Sequence, residues 1–207
     1  MNKPIIILGN GGHSSVLTEI LIAQNREIIG FTSPQKEENQ FDLPYLGQDE
    51  VIFQFDSKEI ELVLGIGSVA VTAIRQNLFH HFNKENYIFS NVIHPSAIIA
   101  PSVKLGRGIQ IMAGVIIQTN TFIDDNTIVN TGSKIDHDCY IGSHVHIAPG
   151  TTISGGVKIG ASSHIGAGST IIQQIDIGSG CLIGAGSVVV KNIGNRVKAI
   201  GVPAREV

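Results

Sequence analysis

Ile135-Asp136-His137-Asp138-Cys139-Tyr140, Ile141-Gly142-Ser143-His144-Val145-His146 and Ile147-Ala148-Pro149-Gly150-Thr151-Thr152 are three successive hexads, each opening on isoleucine with a small or aliphatic residue in fifth place. Extended in both directions, the pattern gives sixteen uninterrupted hexads from Ile99 to Gly194, all opening on Ile, Leu or Val. A period of six does not keep one face of a 3.6-residue helix apolar, so an α-helical reading fails. Alternate strand residues point to opposite faces, and a corner after each short strand resets the phase. Inward first and fifth places therefore predict a parallel β-helix of three-hexad coils, in which residues eighteen apart stack. Gly142, Gly160 and Gly184 are expected where the backbone turns tightly.

The region before the repeat alternates differently. Pro4 to Leu8 is an apolar run ending in Gly9-Asn10-Gly11-Gly12-His13, and Ser14 to Gln24 has helical periodicity. Glu27 to Phe31 and Glu61 to Gly65 read as further strands, and Ala70 to Phe82 as a second helix. These elements predict an α/β, Rossmann-like domain over residues 1–90, with the β-helix and a C-terminal tail over residues 91–207. Ligands of such a domain sit at the carboxyl ends of its strands.

Composition narrows the partners. The chain has 207 residues, only 15% of them charged, and a net charge of −3, which argues against nucleic acid or an anionic membrane. No apolar run reaches membrane-spanning length and the N-terminus lacks a signal-peptide pattern, so the expected location is the cytoplasm. Cys139 and Cys181 both fall on fifth places of hexads, which assigns them to the core rather than to a disulfide, metal or nucleophile.

The glycine turn matches only the start of a dinucleotide fingerprint. Ser14 stands at the third glycine, and Thr32-Ser33-Pro34 replaces the acidic residue that would hold a ribose. Two readings remain: a turn that is merely tight, or a nucleotide diphosphate held by backbone N–H groups at the helix start, with His13 donating to a phosphate or sugar oxygen. In the repeat, His137 stands on an outward corner between two carboxylates, which orient an imidazole and favour its protonated form, as a general base requires. His146 and His164 are one coil apart and should stack. The spacings among His137, His144, His146 and His164 do not reproduce the triad of a zinc-binding trimeric β-helix, so no metal is expected.

The Gly-Asn-Gly-Gly-His turn, Val92-Ile93-His94-Pro95-Ser96-Ala97, the hexads, Asn130-Thr131-Gly132-Ser133 leading into Asp136-His137-Asp138, and Gly201-Val202-Pro203-Ala204-Arg205 together resemble a family of sugar acyltransferases. That family includes the bacillosamine-pathway N-acetyltransferase and the sialic acid O-acetyltransferase. The resemblance implies a left-handed β-helix, a homotrimer with active sites between neighbouring β-helices, and acetyl-CoA as co-substrate. It implies His137 as catalytic base and Asp138 as the acidic neighbour that raises its basicity. It further implies that His146 of an adjacent chain contacts acetyl-CoA, and that Gly155, Ala167 and Ala185 line the pantetheine channel. Gly11, Gly12 and His13 match a nucleotide-sugar turn, and Gly67 matches a glycine closing over the nucleotide. Ser33-Pro34 departs from the family's paired acidic residues. The implied reaction is N-acetylation of the 4-amino group of a UDP-linked amino-deoxy sugar. O-acetylation of a sialic acid or another sugar hydroxyl is the first alternative, and a non-catalytic β-helix module the second.

Overall fold

The computed structural model describes residues 3–68 and 73–207. The chain divides into two compact units, whose described parts are residues 3–68 with 73–92, and residues 93–207. The first three residues expected of the second helix, Ala70 to Thr72, lie outside the described residues.

The N-terminal unit is built on a parallel sheet of β1 (Ile5–Leu8), β2 (Ile28–Thr32), β3 (Tyr45–Gly47) and β4 (Glu61–Leu64) in the order β3-β2-β1-β4. All four residues of β1 are fully buried, which is why that strand reads as a continuous apolar run rather than an alternating one. Helix α1 (Gly12–Ala23) starts two residues before the expected Ser14, because Gly12 and His13 form its first turn. Its buried side includes Ser14, Leu17, Ile20 and Leu21. Helix α2 (Ala73–Lys84) buries Arg75, Phe79 and Phe82. Phe79 stacks on Phe89 with ring centroids 4.7 Å apart. The sheet order reverses between β1 and β4, and in open α/β sheets ligands bind outside the strand ends at that reversal.

In the C-terminal unit each hexad boundary is a two-residue strand, from Ile98–Ile99 to Val188–Val189. Parallel pairing follows the count of eighteen, as in Lys134↔Thr152, Phe122↔Tyr140 and Ile128↔His146. Three stacked parallel sheets result, of five, six and eight strands. The eight-stranded one starts a side earlier than the hexad count, at Val92–Ile93, and ends in an antiparallel hairpin of Lys198–Gly201 with Ala204–Glu206. All the opening residues from Ile111 to Val189 are at most 2% exposed.

Two details of the repeat differ from the sequence reading. The tight turn falls at the fourth place of the hexad, where every residue from Gly108 to Gly186 taken six apart has φ between +57° and +70°. Gly142 at the second place has another reason: a Cβ there would lie 2.7 Å from the Ala161 backbone nitrogen of the next coil. The polar fifth places are also more than filler. Thr121, Thr127, Ser133, Ser163 and Ser169 are buried, and each hydroxyl donates to a carbonyl fifteen residues on, at 2.9 Å. These bonds satisfy backbone acceptors that the stacked coils bury. Cys139 does the same, its thiol donating to the Ser154 carbonyl at 3.3 Å.

Candidate active site

The first candidate site is the crevice at the sheet reversal. Its floor is formed by close packing of glycine turns: a Cβ on Gly65 would lie 2.8 Å from Ser14 Cβ and 2.9 Å from Ile7 Cγ2. The close helix–strand approach that a third fingerprint glycine gives to α1 is therefore provided from β4, and Ser14 can occupy the helix position. Gly67 lies against His13, with a built Cβ 3.2 Å from His13 Cβ, so two expected substrate residues do meet. Gly11 caps α1 with extended backbone and no side-chain bond, and a Cβ on Gly11 or Gly12 would meet nothing within 4 Å. A helix start that is open and lacks a side-chain cap can receive an anion.

Ser33 is buried at the end of β2, and its hydroxyl donates to the Glu37 carboxylate. Thr32 Oγ1 donates to Asp49 Oδ1 at 2.5 Å. The loop after β2 also returns to the glycine turn, where Asn39 Nδ2 donates to Asn10 Oδ1 at 2.6 Å. Two carboxylates, those of Glu37 and Asp49, thus stand at the end of β2 although positions 33 and 34 carry none. Neither could be found from the fingerprint, because a return loop has no fixed spacing.

The second candidate site is the β-helix corner that carries His137, between the six-stranded and five-stranded sheets. The backbone N–H of His137 donates to Asp136 Oδ1 at 2.8 Å. Asp138 occupies the left-handed fourth place with φ +57°, and Asn120 one coil earlier donates to its Oδ1 at 3.3 Å. His137 Nδ1 lies 2.7 Å from Asp138 Oδ2. A carboxylate only accepts, so Nδ1 carries the proton and Nε2 is left as the basic nitrogen. The hydrogen bond to Asp138, and next the charge of Asp136, hold the imidazole above its ordinary pKa, while His137 holds the Asp138 carboxyl below its own.

Gly155 lies one coil beyond His137, and a Cβ there would fall 2.6 Å from His137 Cε1 and 2.7 Å from Nε2. The basic nitrogen is accommodated by the missing side chain. A groove of about 430 Å³ runs from this corner past Gly156, Gln173 and Gln174, and shares Asp136 and Ser154 with a second groove on the six-stranded sheet. Ala167 and Ala185 stack on that sheet's other corner and are exposed, so within one chain they are separated from Gly155 by the sheet's width.

His146 lies in the eight-stranded sheet, paired with His164 and only 8% exposed. The two rings meet edge to face with centroids 4.9 Å apart. Asn130 Oδ1 accepts from the Thr131 N–H at 2.8 Å, which turns Asn130 Nδ2 toward His146 Nε2 at 3.2 Å. One chain does not bring His146 to His137. Among the described residues no group of three His, Cys, Asp or Glu side chains converges as a metal site. No described helix is long and apolar enough to cross a membrane.

Residues 4–82 match the PglD N-terminal domain, and residues 120–155 and 156–191 match the bacterial transferase hexapeptide (six repeats). A mutant of perosamine N-acetyltransferase from Caulobacter crescentus, solved with CoA and GDP-perosamine, is 34% identical over 99% of this chain and 96% of that one, with TM-score 0.92. The acetyltransferase domain of PglB from Neisseria gonorrhoeae, in complex with acetyl coenzyme A, is 30% identical over the whole of both chains, with TM-score 0.94. The chain belongs to the hexapeptide-repeat sugar acetyltransferases, which use acetyl-CoA. Its repeat domain is therefore the left-handed parallel β-helix that the resemblance implied. WeeI from Acinetobacter baumannii, 22% identical with TM-score 0.89 over the whole of both chains, shares the fold. Among curated proteins none matches the chain.

Proposed function

We propose that the protein acetylates the 4-amino group of a UDP-linked amino-deoxy sugar by direct transfer from acetyl-CoA, with His137 as general base. The observation that carries this reading is the oriented imidazole, whose Nε2 lies unobstructed beside Gly155. The sugar amine attacks the thioester carbonyl carbon, a C–N bond forms, and His137 Nε2 takes the amine proton. The C–S bond then breaks, and the CoA thiolate leaves with that proton. Asp138 keeps Nε2 basic and stabilises the imidazolium. No acyl-enzyme is needed.

In this reading the domain of residues 1–90 holds the nucleotide and the domain of residues 91–207 carries the chemistry. Gly11, Gly12 and His13 offer the start of α1 to the diphosphate, while Gly67 and Ser33 border the nucleotide. Gly155, Ala167 and Ala185 flank the six-stranded sheet, along which the pantetheine arm runs. His146 of the partner subunit contacts acetyl-CoA, and its ring or a backbone N–H steadies the oxyanion, in the homotrimer that the family resemblance implies.

GDP as the nucleotide is favoured by one observation, the likeness to a chain solved with GDP-perosamine. The test is to incubate the protein with acetyl-CoA and UDP- and GDP-linked 4-amino-6-deoxy sugars, with sialic acid as the hydroxyl acceptor, and to follow thiol release. Release with the UDP-linked amine alone supports the proposal. Release only with the GDP-linked amine changes the base, and release only with sialic acid overturns N-acetylation.

A further inference from the structure

Arg75 in the first turn of α2 plays no part in the chemistry above, yet its side chain is in an unusual setting. The residue is 5% exposed. Its Nη1 donates to the carbonyls of Leu64 and Ile66, both at 2.9 Å, while Nε and Nη2 are buried with no hydrogen-bond partner. Among the described residues the ion pairs do not include Arg75. Burial pushes the guanidinium down to about 9, so it is still a cation at neutral pH. A buried charge without a counter-ion is costly, and an arginine serving only to hold two carbonyls could be replaced by neutral donors.

The location gives the charge a use. Leu64 ends β4, and Ile66 lies between Gly65, which packs on Ser14, and Gly67, which packs on His13. Arg75 therefore anchors one wall of the crevice at the β1/β4 reversal, opposite the glycine turn and the start of α1. We propose that Arg75 is the positioning residue of the nucleotide subsite: it fixes the Gly65–Gly67 wall and supplies a buried cation whose field favours a diphosphate. This rests on the N-terminal domain holding a nucleotide sugar. The field of a buried charge reaches further than that of an exposed one, since solvent and salt screen it less. A diphosphate therefore need not touch the guanidinium to be attracted by it.

The experiment measures UDP and GDP affinity by calorimetry across a range of salt concentrations for the native protein, Arg75→Met and Arg75→Lys, with acetyl-CoA affinity and thermal melting as controls. Arg75→Met should lose on the order of tenfold in nucleoside diphosphate affinity, and the loss should persist at high salt, because salt screens a buried charge little. Arg75→Lys should keep most of the native affinity at every salt concentration, and it carries the test if the methionine variant does not fold. A methionine variant that keeps the native diphosphate affinity, or a lysine variant that loses as much as the methionine one, overturns the proposal. Native protein that binds acetyl-CoA but neither diphosphate overturns the nucleotide reading itself, and this inference with it.

Discussion

The crevice of the α/β domain and the His137 corner of the β-helix are built by opposite strategies. In the crevice the special feature is the backbone: Gly65 brings the end of β4 to a distance from β1 and α1 that a side chain would prevent, and Gly67 lies tight against His13. At the corner the backbone is ordinary, repeating the left-handed fourth place found from Gly108 to Gly186, and only the side chains distinguish it from its neighbours. One site is a shape that a ligand enters; the other is a side-chain pair mounted on a repeated bracket. Substitutions should therefore fail differently in the two places, through stability in the crevice and through chemistry at the corner.

The largest expected effect is at the corner. His137→Ala should lower turnover by roughly a hundred-fold to ten-thousand-fold, with acetyl-CoA affinity and melting temperature kept. Near-native turnover would remove His137 from the mechanism. Gly155→Ala comes next: its Cβ would fall 2.6 Å from His137 Cε1, but that side chain is 55% exposed and can swing away. Misplacing the base should cost about a hundred-fold in kcat with little change in stability. If melting falls instead and turnover holds, the corner is not the adaptable site described.

Gly65→Ala is the matching test in the crevice. Ser14 and Ile7 are both buried there, so the added methyl has no space to enter and should destabilise the domain by about 1–3 kcal/mol in a denaturant titration. The smallest effect is on pH dependence. Activity should rise as His137 loses its proton, at a pH above the ordinary imidazole value, because Asp138 and Asp136 favour the cation. Asp138→Asn keeps a residue that tolerates the left-handed backbone and removes the main cause of that rise. Its ascending limb should therefore move to lower pH; a limb that stays or moves upward contradicts the assigned pair.

The two regions also differed in how far they could be read from sequence. The hexads were legible because first-place burial is nearly complete at every coil, which makes the period a direct image of the core. The left-handed fourth place was not, since Gly108, Asn120, Asp138, His144, Ser162 and Gln174 all adopt it and share a conformation rather than a composition. In the α/β domain β1 and α1 were clear from apolar runs and helical spacing. Tyr45–Gly47 was not, being three residues long and only half-buried. Arg75 drew no reading from the sequence, because nothing in a linear pattern marks a charge that tertiary packing encloses. Glu37 escaped for a related reason: its meeting with Ser33 depends on a loop that doubles back.

The register of eighteen also constrains how this chain can change length. Adding or removing a whole coil beyond the site leaves each face with its own residues, much as a turn can be added to a spring. An insertion of six between His137 and Gly155 would keep the pattern of buried isoleucines and fold well. It would also rotate everything downstream by a third of a turn, carrying Gly155 to another corner and placing a different side chain beside the base. The hexad is thus the grain of the scaffold but the coil is the grain of the active site, and only multiples of the second conserve the chemistry.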